Sequence, residues 1–322
     1  MTGGLPDTEV VVAPAKINLF LRVIGRRDDG YHDLESLIVR IDLEDGLDIH
    51  AHADPDQFRT LSFAFDVAGD PAIVAGVPMD EENLVLRAAR ALAERRAVRG
   101  FADITLHKRI PPAAGLGGGS ADAAATLSAL NRLWACDLPD AELVGLAATI
   151  GSDVPALLFD GAVAVSGRGD RVKPVRAAGL DWVLVTFDFA VRTPDAFAWW
   201  DEDGGPTGPD SPLAGAPTEL LSPNDGHIDL DALAEGLCND LEGPVVRRIP
   251  RIGGARDRLR AAGAVGSVMC GSGPTVAGLL PPSMPRLDAA DEQTLLELSG
   301  RRPLYVSSRP SAAGPATTGT SD

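Results

Sequence analysis

The alternation of apolar and polar positions divides the chain into short strands and amphipathic helices. Residues 9–12 form an apolar run. From Lys16 to Val23 polar and apolar residues alternate with the period of a half-buried strand. A polar turn over 25–30 is followed by a strand at 34–43, and short β-like pieces continue over 45–65. Residues 82–99 carry Leu84, Leu86, Ala88, Ala89 and Leu92 as an apolar helical stripe. Residues 102–108 alternate as a strand. Residues 120–134 read as a helix with Leu127, Leu130 and Leu133 on one side, and 141–149 as another. Strands are expected at 161–166 and 182–187, helices at 230–237 and 254–262, and a hairpin over 265–280 turning at Gly271-Ser272-Gly273-Pro274. The stretch 201–217 is rich in Gly, Pro and Asp and reads as a loop. The tail 307–322 has the composition of a disordered segment. Strands and helices mix without βαβ regularity, which points to an α+β fold.

Length and composition add limits. At 322 residues and 45% hydrophobic, the chain is long enough for two cores. No stretch approaches the roughly 20 apolar residues of a membrane span, and the first residues lack the pattern of a signal peptide. Three well-separated cysteines, Cys136, Cys238 and Cys270, argue against a disulfide framework or a zinc site, so a cytoplasmic location is expected. The net charge of −17 speaks against nucleic-acid and anionic-membrane partners but not against a local site for a small anion. Only three of the 29 basic residues are lysines: Lys16, Lys108 and Lys173. Where Arg dominates so heavily, a lysine inside another signal marks a place that needs a compact point charge.

The sharpest local signal is Pro111-Pro112-Ala113-Ala114-Gly115-Leu116-Gly117-Gly118-Gly119-Ser120-Ala121. Four glycines in five residues connect a strand to a helix, with Lys108 and Arg109 just before. Backbone amides freed of Cβ interference and the orphan amides of a helix start together suit a phosphate. The alternative is a flexible turn with Ser120 as an ordinary N-cap. Neither a Walker A loop nor a dinucleotide fingerprint fits. At Gly25–Gly30 the Lys and Ser/Thr positions hold Tyr31 and His32, and the third glycine of G-x-G-x-x-G falls on Ser120 or Asp122. Other features stand on their own chemistry. Asp153, after Gly151-Ser152 and before an apolar segment, suits a partly desolvated base, or equally a common helix-start Asp. Lys16 lies early in an apolar strand with Asn18 on the same face, so it either meets an anion or snorkels at an edge. Tyr31 and His32 offer a ring to stack on a base and a group to read its edge, or simply a packed turn. Gly271-Ser272-Gly273 is a hairpin turn taken alone.

In order along the chain, Pro14-Ala15-Lys16-Ile17-Asn18-Leu19, then the glycine-rich loop, then Cys270-Gly271-Ser272-Gly273-Pro274 resemble the three motifs of the GHMP kinase superfamily. Asp29-Gly30-Tyr31-His32, 150–155 and Asn239-Asp240-Leu241-Glu242 narrow the resemblance to its cytidyl-diphosphate sugar-alcohol kinases of the non-mevalonate isoprenoid route. The resemblance covers roughly 11–280. It implies a two-lobed α+β GHMP kinase fold with the active site in the cleft between lobes. Residues 1–165 would form the N-terminal domain and 166–306 the C-terminal one. It implies transfer of phosphate from ATP, with Mg²⁺, to the 2-hydroxyl of the methylerythritol moiety, by a monomer or weak homodimer. By position, Asp153 resembles the catalytic base and Lys16 its partner, while Lys108 and residues 111–121 resemble the ATP site. Tyr31, His32 and Phe197 resemble a cytidine clamp, with Phe197 stacking against Tyr31. Asn18, Thr193, Gly271, Ser272 and Gly273 fall among the substrate-binding positions. Ala113-Ala114 and Ala121 depart from glycine- and serine-richer members. The alternatives are another kinase of the superfamily, acting on homoserine, mevalonate or a sugar, which Tyr31-His32 argues against, and a non-catalytic nucleotide sensor.

Overall fold

The computed structural model describes residues 7–205, 228–308 and 310. In chain order its elements begin with β1 (Asp7–Arg26), β2 (His32–Ala53), β3 (Leu61–Gly69), α1 (Pro71–Val74), α2 (Leu84–Arg96) and β4 (Gly100–Lys108). Then come α3 (Gly118–Leu133), α4 (Asp140–Ile150), a 3₁₀ turn (Ala156–Leu158), β5 (Ala162–Gly167), β6 (Arg171–Val175), β7 (Leu180–Val185) and α5 (Thr193–Glu202). The last third holds α6 (Leu230–Gly236), β8 (Cys238–Asn239), α7 (Glu242–Arg248), α8 (Pro250–Ala261), β9 (Gly266–Met269), β10 (Val276–Leu280), α9 (Ala289–Ser299) and β11 (Leu304–Ser308).

The chain divides into two compact units. They are interleaved rather than consecutive as 1–165 and 166–306. The first holds the chain up to Ala15 with Leu43–Pro112 and Gly118–Leu158. The second holds Lys16–Asp42, Ala113–Gly117 and the chain from Phe159 onward. The physical reason is strand pairing: residues 34–39 of β2 pair with β5, and residues 20–21 of β1 pair with β8, so early segments are claimed by late partners.

In the first unit β4 is central. It pairs antiparallel with β2 from Gly46↔His107 to Ala53↔Gly100 and parallel with β3 from Leu61↔Gly100 to Gly69↔Lys108. Its residues alternate between buried and more exposed, as the period-two pattern at 102–108 requires. Helices α2, α3 and α4 supply the other half of a core built on Leu47, Ile49, Leu92, Leu106, Leu127 and Leu130. Each such side chain contributes about 1.5–3 kcal/mol when fully buried. Helix α2 starts where Asn83 accepts the Val85 amide at 2.9 Å and stops at left-handed Ala97, inside the expected 82–99.

In the second unit β7 lies between β10 and β11, with β9 outside β10, all antiparallel. Helices α5, α7, α8 and α9 cover a core of Val183, Val185, Val245, Ile252, Leu259, Val276 and Leu295. The hairpin expected over 265–280 is β9–β10. Two expectations change. Asp201 and Glu202 end a helix, α5, rather than open a loop, and the rest of 206–217 lies outside the described residues. Ser307 and Ser308 belong to β11, paired with Asp181 and Leu180, while 309 and 311–322 lie outside the described residues.

Candidate active site

Ala113–Gly117 packs with the second unit, and helix α3 from Gly118 with the first. Gly115 has φ +79°, and a Cβ there would stand 2.1 Å from the Cys270 carbonyl oxygen, so no other residue fits. Helix α3 begins at Gly118, two residues before the expected start. Ser120 is therefore in the first turn and is not the N-cap. The amides of Gly118, Gly119, Ser120 and Ala121 are thus the four donors that a helix leaves without an intrahelical acceptor. With the helix dipole, donors of this kind suit an anionic group.

Within the second unit, Lys16 lies on β1 and is buried. Its Nζ donates to Asn18 Oδ1 at 2.7 Å and to the Gly115 carbonyl at 3.0 Å. Asn18 Nδ2 donates to Ser36 Oγ at 2.9 Å, and Ser36 donates to the Phe20 carbonyl at 2.6 Å. The Lys16 amide donates to the Leu116 carbonyl at 2.9 Å. Motif one is therefore bonded directly to the loop. The third motif joins them. Gly271 and Gly273 adopt φ +54° and +84° in the β9–β10 turn, and the Thr275 amide donates to the Ala114 carbonyl at 3.3 Å.

That turn is held from below by residues that the motif 239–242 supplies. Asn239 Nδ2 donates to the carbonyls of Met269 and Gly271, both at 2.7 Å, and Glu242 Oε2 accepts the Met269 amide at 2.8 Å. Asp240 accepts the Val23 amide at 2.9 Å and pairs with Arg22 at 3.0 Å. The sequence marked 239–242 as a signature without assigning it a job. Its job here is to fix the hairpin and the strand that bears Lys16. Burial pushes the neighbouring Cys270 thiol up to about 12, which removes it as a nucleophile.

A third group is aromatic. Phe197 of α5 stacks on the His32 ring at 4.8 Å and 21°, and Trp200 meets its edge at 5.7 Å and 87°. His32 Nε2 is 2.9 Å from Asp201 Oδ1. Tyr31 differs from the expectation. The expected Tyr31–Phe197 stacking is not the pairing formed. Tyr31 is 53% exposed, and the Arg168 guanidinium lies over its ring, 3.9 Å from the centroid. Thr193 Oγ1 is 3.0 Å from Ser272 Oγ, which links α5 to the third motif. Trp200, Asp201 and Arg168 were not singled out from sequence. A helix start at Thr193-Pro194 would have placed Phe197, Trp200 and Asp201 one turn apart on a shared face.

In the first unit, Asp153 sits half-buried in the turn between α4 and the 3₁₀ turn, where its carbonyl accepts the Leu157 amide at 3.3 Å. It is not an N-cap of a long helix. Lys108 requires a correction. It does not lie open as a phosphate ligand. Its side chain is 4% exposed and bonded to Asp45, and to Asp122 Oδ2 at 2.9 Å. The stretch 104–121 contains no acid, but the fold brings Asp45 from β2 and Asp122 from α3 onto its lysine. The local positive charge read from Lys108 is therefore neutralised, and Arg109 is the exposed cation of the flank. Among the described residues no group of three His, Cys, Asp or Glu side chains could hold a metal.

No helix among the described residues is long and apolar enough to cross a membrane. The model of the GHMP kinases N terminal domain matches residues 83–161, and that of the GHMP kinases C terminal domain residues 224–292. A 4-diphosphocytidyl-2-C-methyl-D-erythritol kinase of Symbiobacterium thermophilum is 40% identical over 270 residues, 83% of this chain and 89% of the relative. One of Rhodococcus jostii is 41% identical over 290 residues, 87% and 86% of the two chains. A crystal structure of 4-(cytidine 5'-diphospho)-2C-methyl-D-erythritol kinase superposes with a TM-score of 0.70 at 33% identity, covering 93% of this chain and 98% of its own. A mevalonate kinase of L. major, at a TM-score of 0.65 and 15% identity over 96% and 98% of the chains, shares the fold. With the three motifs bonded to one another around the glycine-rich loop, these likenesses place the chain in the 4-diphosphocytidyl-2-C-methyl-D-erythritol kinase family of the GHMP kinases.

Proposed function

We propose that the chain transfers the γ-phosphoryl group of ATP to the 2-hydroxyl of 4-diphosphocytidyl-2-C-methyl-D-erythritol, giving the 2-phosphate and ADP. The observation that carries the choice of acceptor is the His32–Phe197 stack. It presents an aromatic platform whose imidazole is oriented by Asp201, a chemistry suited to a heteroaromatic base. Small acceptors such as homoserine or mevalonate have no ring for that platform.

The chemistry needs positioning and charge neutralisation more than covalent help. The amides of 118–121 and the loop before them hold the phosphates. Mg²⁺ bound with the nucleotide supplies further neutralisation of phosphate charge. Asp153 accepts the proton of the acceptor hydroxyl as its oxygen bonds to the γ-phosphorus and the bond to the β-phosphate oxygen breaks. Lys16, held by Asn18 and the Gly115 carbonyl, offers positive charge to the negative charge that develops in transfer. Tyr31, His32 and Phe197 bind the cytosine, and Asn18, Thr193 and the 271–273 turn bind the rest of the acceptor.

The test is ADP release by purified protein supplied with ATP and, in turn, the cytidyl substrate, homoserine, mevalonate and galactose. Turnover confined to the cytidyl substrate supports the proposal. Preferential turnover of another alcohol, or nucleotide binding with no turnover on any acceptor, sinks it.

A further inference from the structure

Below the glycine-rich loop lies a buried cluster to which the chemistry above gives no part. The loop leaves β4 at Arg109 and Ile110, whose amides both donate to Asp45 Oδ1, at 2.6 and 2.9 Å. The other Asp45 oxygen accepts Lys108 Nζ, and the same ammonium donates to Asp122 Oδ2 at 2.9 Å. Asp122 stands one turn into α3, so a single cation ties the chain entering the loop to the helix leaving it. Packing tightens the tie. A Cβ on Gly118, the first residue of α3, would meet Ile110 Cγ2 at 2.9 Å and Lys108 Nζ at 3.3 Å.

We propose that Asp45, Lys108 and Asp122 are positioning residues for the nucleotide: a buried clamp that sets the spacing of the loop's two ends and so the aim of the amides at 118–121, with Lys108 acting through the two carboxylates rather than on the phosphates. The inference rests on the reading of this loop as the ATP site. Lys108 is too enclosed to reach a ligand, and two of its three donors are already spent on carboxylates. Asp122 Oδ1 is buried without a hydrogen-bond partner, so the cluster carries two acids for one base and is only partly satisfied. The charged groups acting on the Asp122 carboxyl are Lys108 of β4, which favours its ionisation, and Asp45 of β2, which opposes it. Burial is the largest influence and carries its pKa up to about 7. Burial pulls Lys108 down, but the two carboxylates more than offset this and hold its pKa above the ordinary lysine value. Ionised Asp122 places negative charge beneath a polyanion site, so nucleotide affinity falls as pH rises through 7.

The experiment measures kcat and both KM values, with thermal unfolding, for the wild type, Asp122→Ala and Asp122→Asn between pH 6 and 8.5. Asp122→Ala is expected to raise the KM for ATP about tenfold while the acceptor KM stays within about twofold. Asp122→Asn, which keeps an acceptor for Lys108, is expected to restore the ATP KM and to lose the wild-type inflection near neutrality. ATP's own titration is common to both proteins and drops out of that comparison. A folded Asp122→Ala with an unchanged ATP KM, equal changes in both KM values, or an Asp122→Asn profile that keeps the inflection overturns the inference. If Asp122→Ala does not fold, the Asp122→Asn profile decides alone. Direct titration of the wild type with ATP separates the two readings. No binding at all removes the assignment of the loop and this inference with it, whereas binding with unaltered variants removes only the clamp.

Discussion

Two of the three lysines are buried beside the glycine-rich loop, one in each unit, and their surroundings differ. Lys108 lies against two carboxylates that reach onward to the amides of Arg109 and Ile110 and to the first turns of α3. Lys16 lies against the amide oxygen of Asn18 and the carbonyl of Gly115, with a relay through Ser36 to the backbone of its own strand. A rare lysine thus lies against the glycine-rich loop in both cases, but the groups that hold it differ. Carboxylates that also grip backbone make a strut. The Lys16 contacts with Asn18 and Gly115 hold its ammonium at the loop itself.

The largest effects are expected at the chemistry. Asp153→Asn is expected to lower kcat by about 10³-fold or more while nucleotide titration stays near the wild type; single-turnover rates with the cytidyl substrate check it. Lys16→Arg should follow, with kcat down about 10²-fold at little cost in thermal stability, because a forked and longer cation cannot occupy the seat between Asn18 and Gly115. An unchanged kcat would make Lys16 a strut like Lys108. His32→Ala removes the Phe197 platform's partner and should raise the KM of the cytidyl substrate about tenfold with the ATP KM unmoved, as steady-state kinetics would show.

The next effect is on stability, and its sign follows from burial. Asp122 has a folded-state pKa of about 7, above that of an unfolded aspartate. The folded state therefore binds this proton more tightly, and its contribution to stability is lost as pH rises from about 4 towards 7. Denaturant unfolding should show Asp122→Asn gaining on the wild type across that window, and parallel curves would contradict it. The smallest effect is at the third lysine. Lys173 is exposed on β6, and Lys173→Arg should leave kcat, both KM values and stability within about 0.5 kcal/mol of the wild type.

What the sequence disclosed was local. The stripe of Leu84 to Leu92 and the alternation at 102–108 appear as α2 and β4 because their periods state which face is buried. The glycine run that joins a strand to a helix appears as the turn from β4 into α3, because positive φ at Gly115 and Gly117 needs residues without a Cβ. What it hid was non-local. Asp45 is 63 positions from Lys108, and no pattern within 104–121 reveals that two acids will close on that lysine. Tyr31 and His32 adjoin in sequence, yet their rings find separate partners, Arg168 and Phe197, that later segments deliver. The interleaved units escaped for the same reason, since strand partnership over more than a hundred positions, as at Leu34↔Gly167, leaves no trace in periodicity.

The interleaving has a consequence for the order in which the protein comes off the ribosome. Lys16 emerges early, but Gly115 needs the Cys270 turn against it, and that turn needs Asn239. At about 5–20 residues per second, the lysine waits on the order of tens of seconds for its seat to exist. A message cut short near residue 165 would carry all of the first unit but only fragments of the second. Residues 20–21 would lack their β8 partner, an open strand edge that chaperones or proteases would meet.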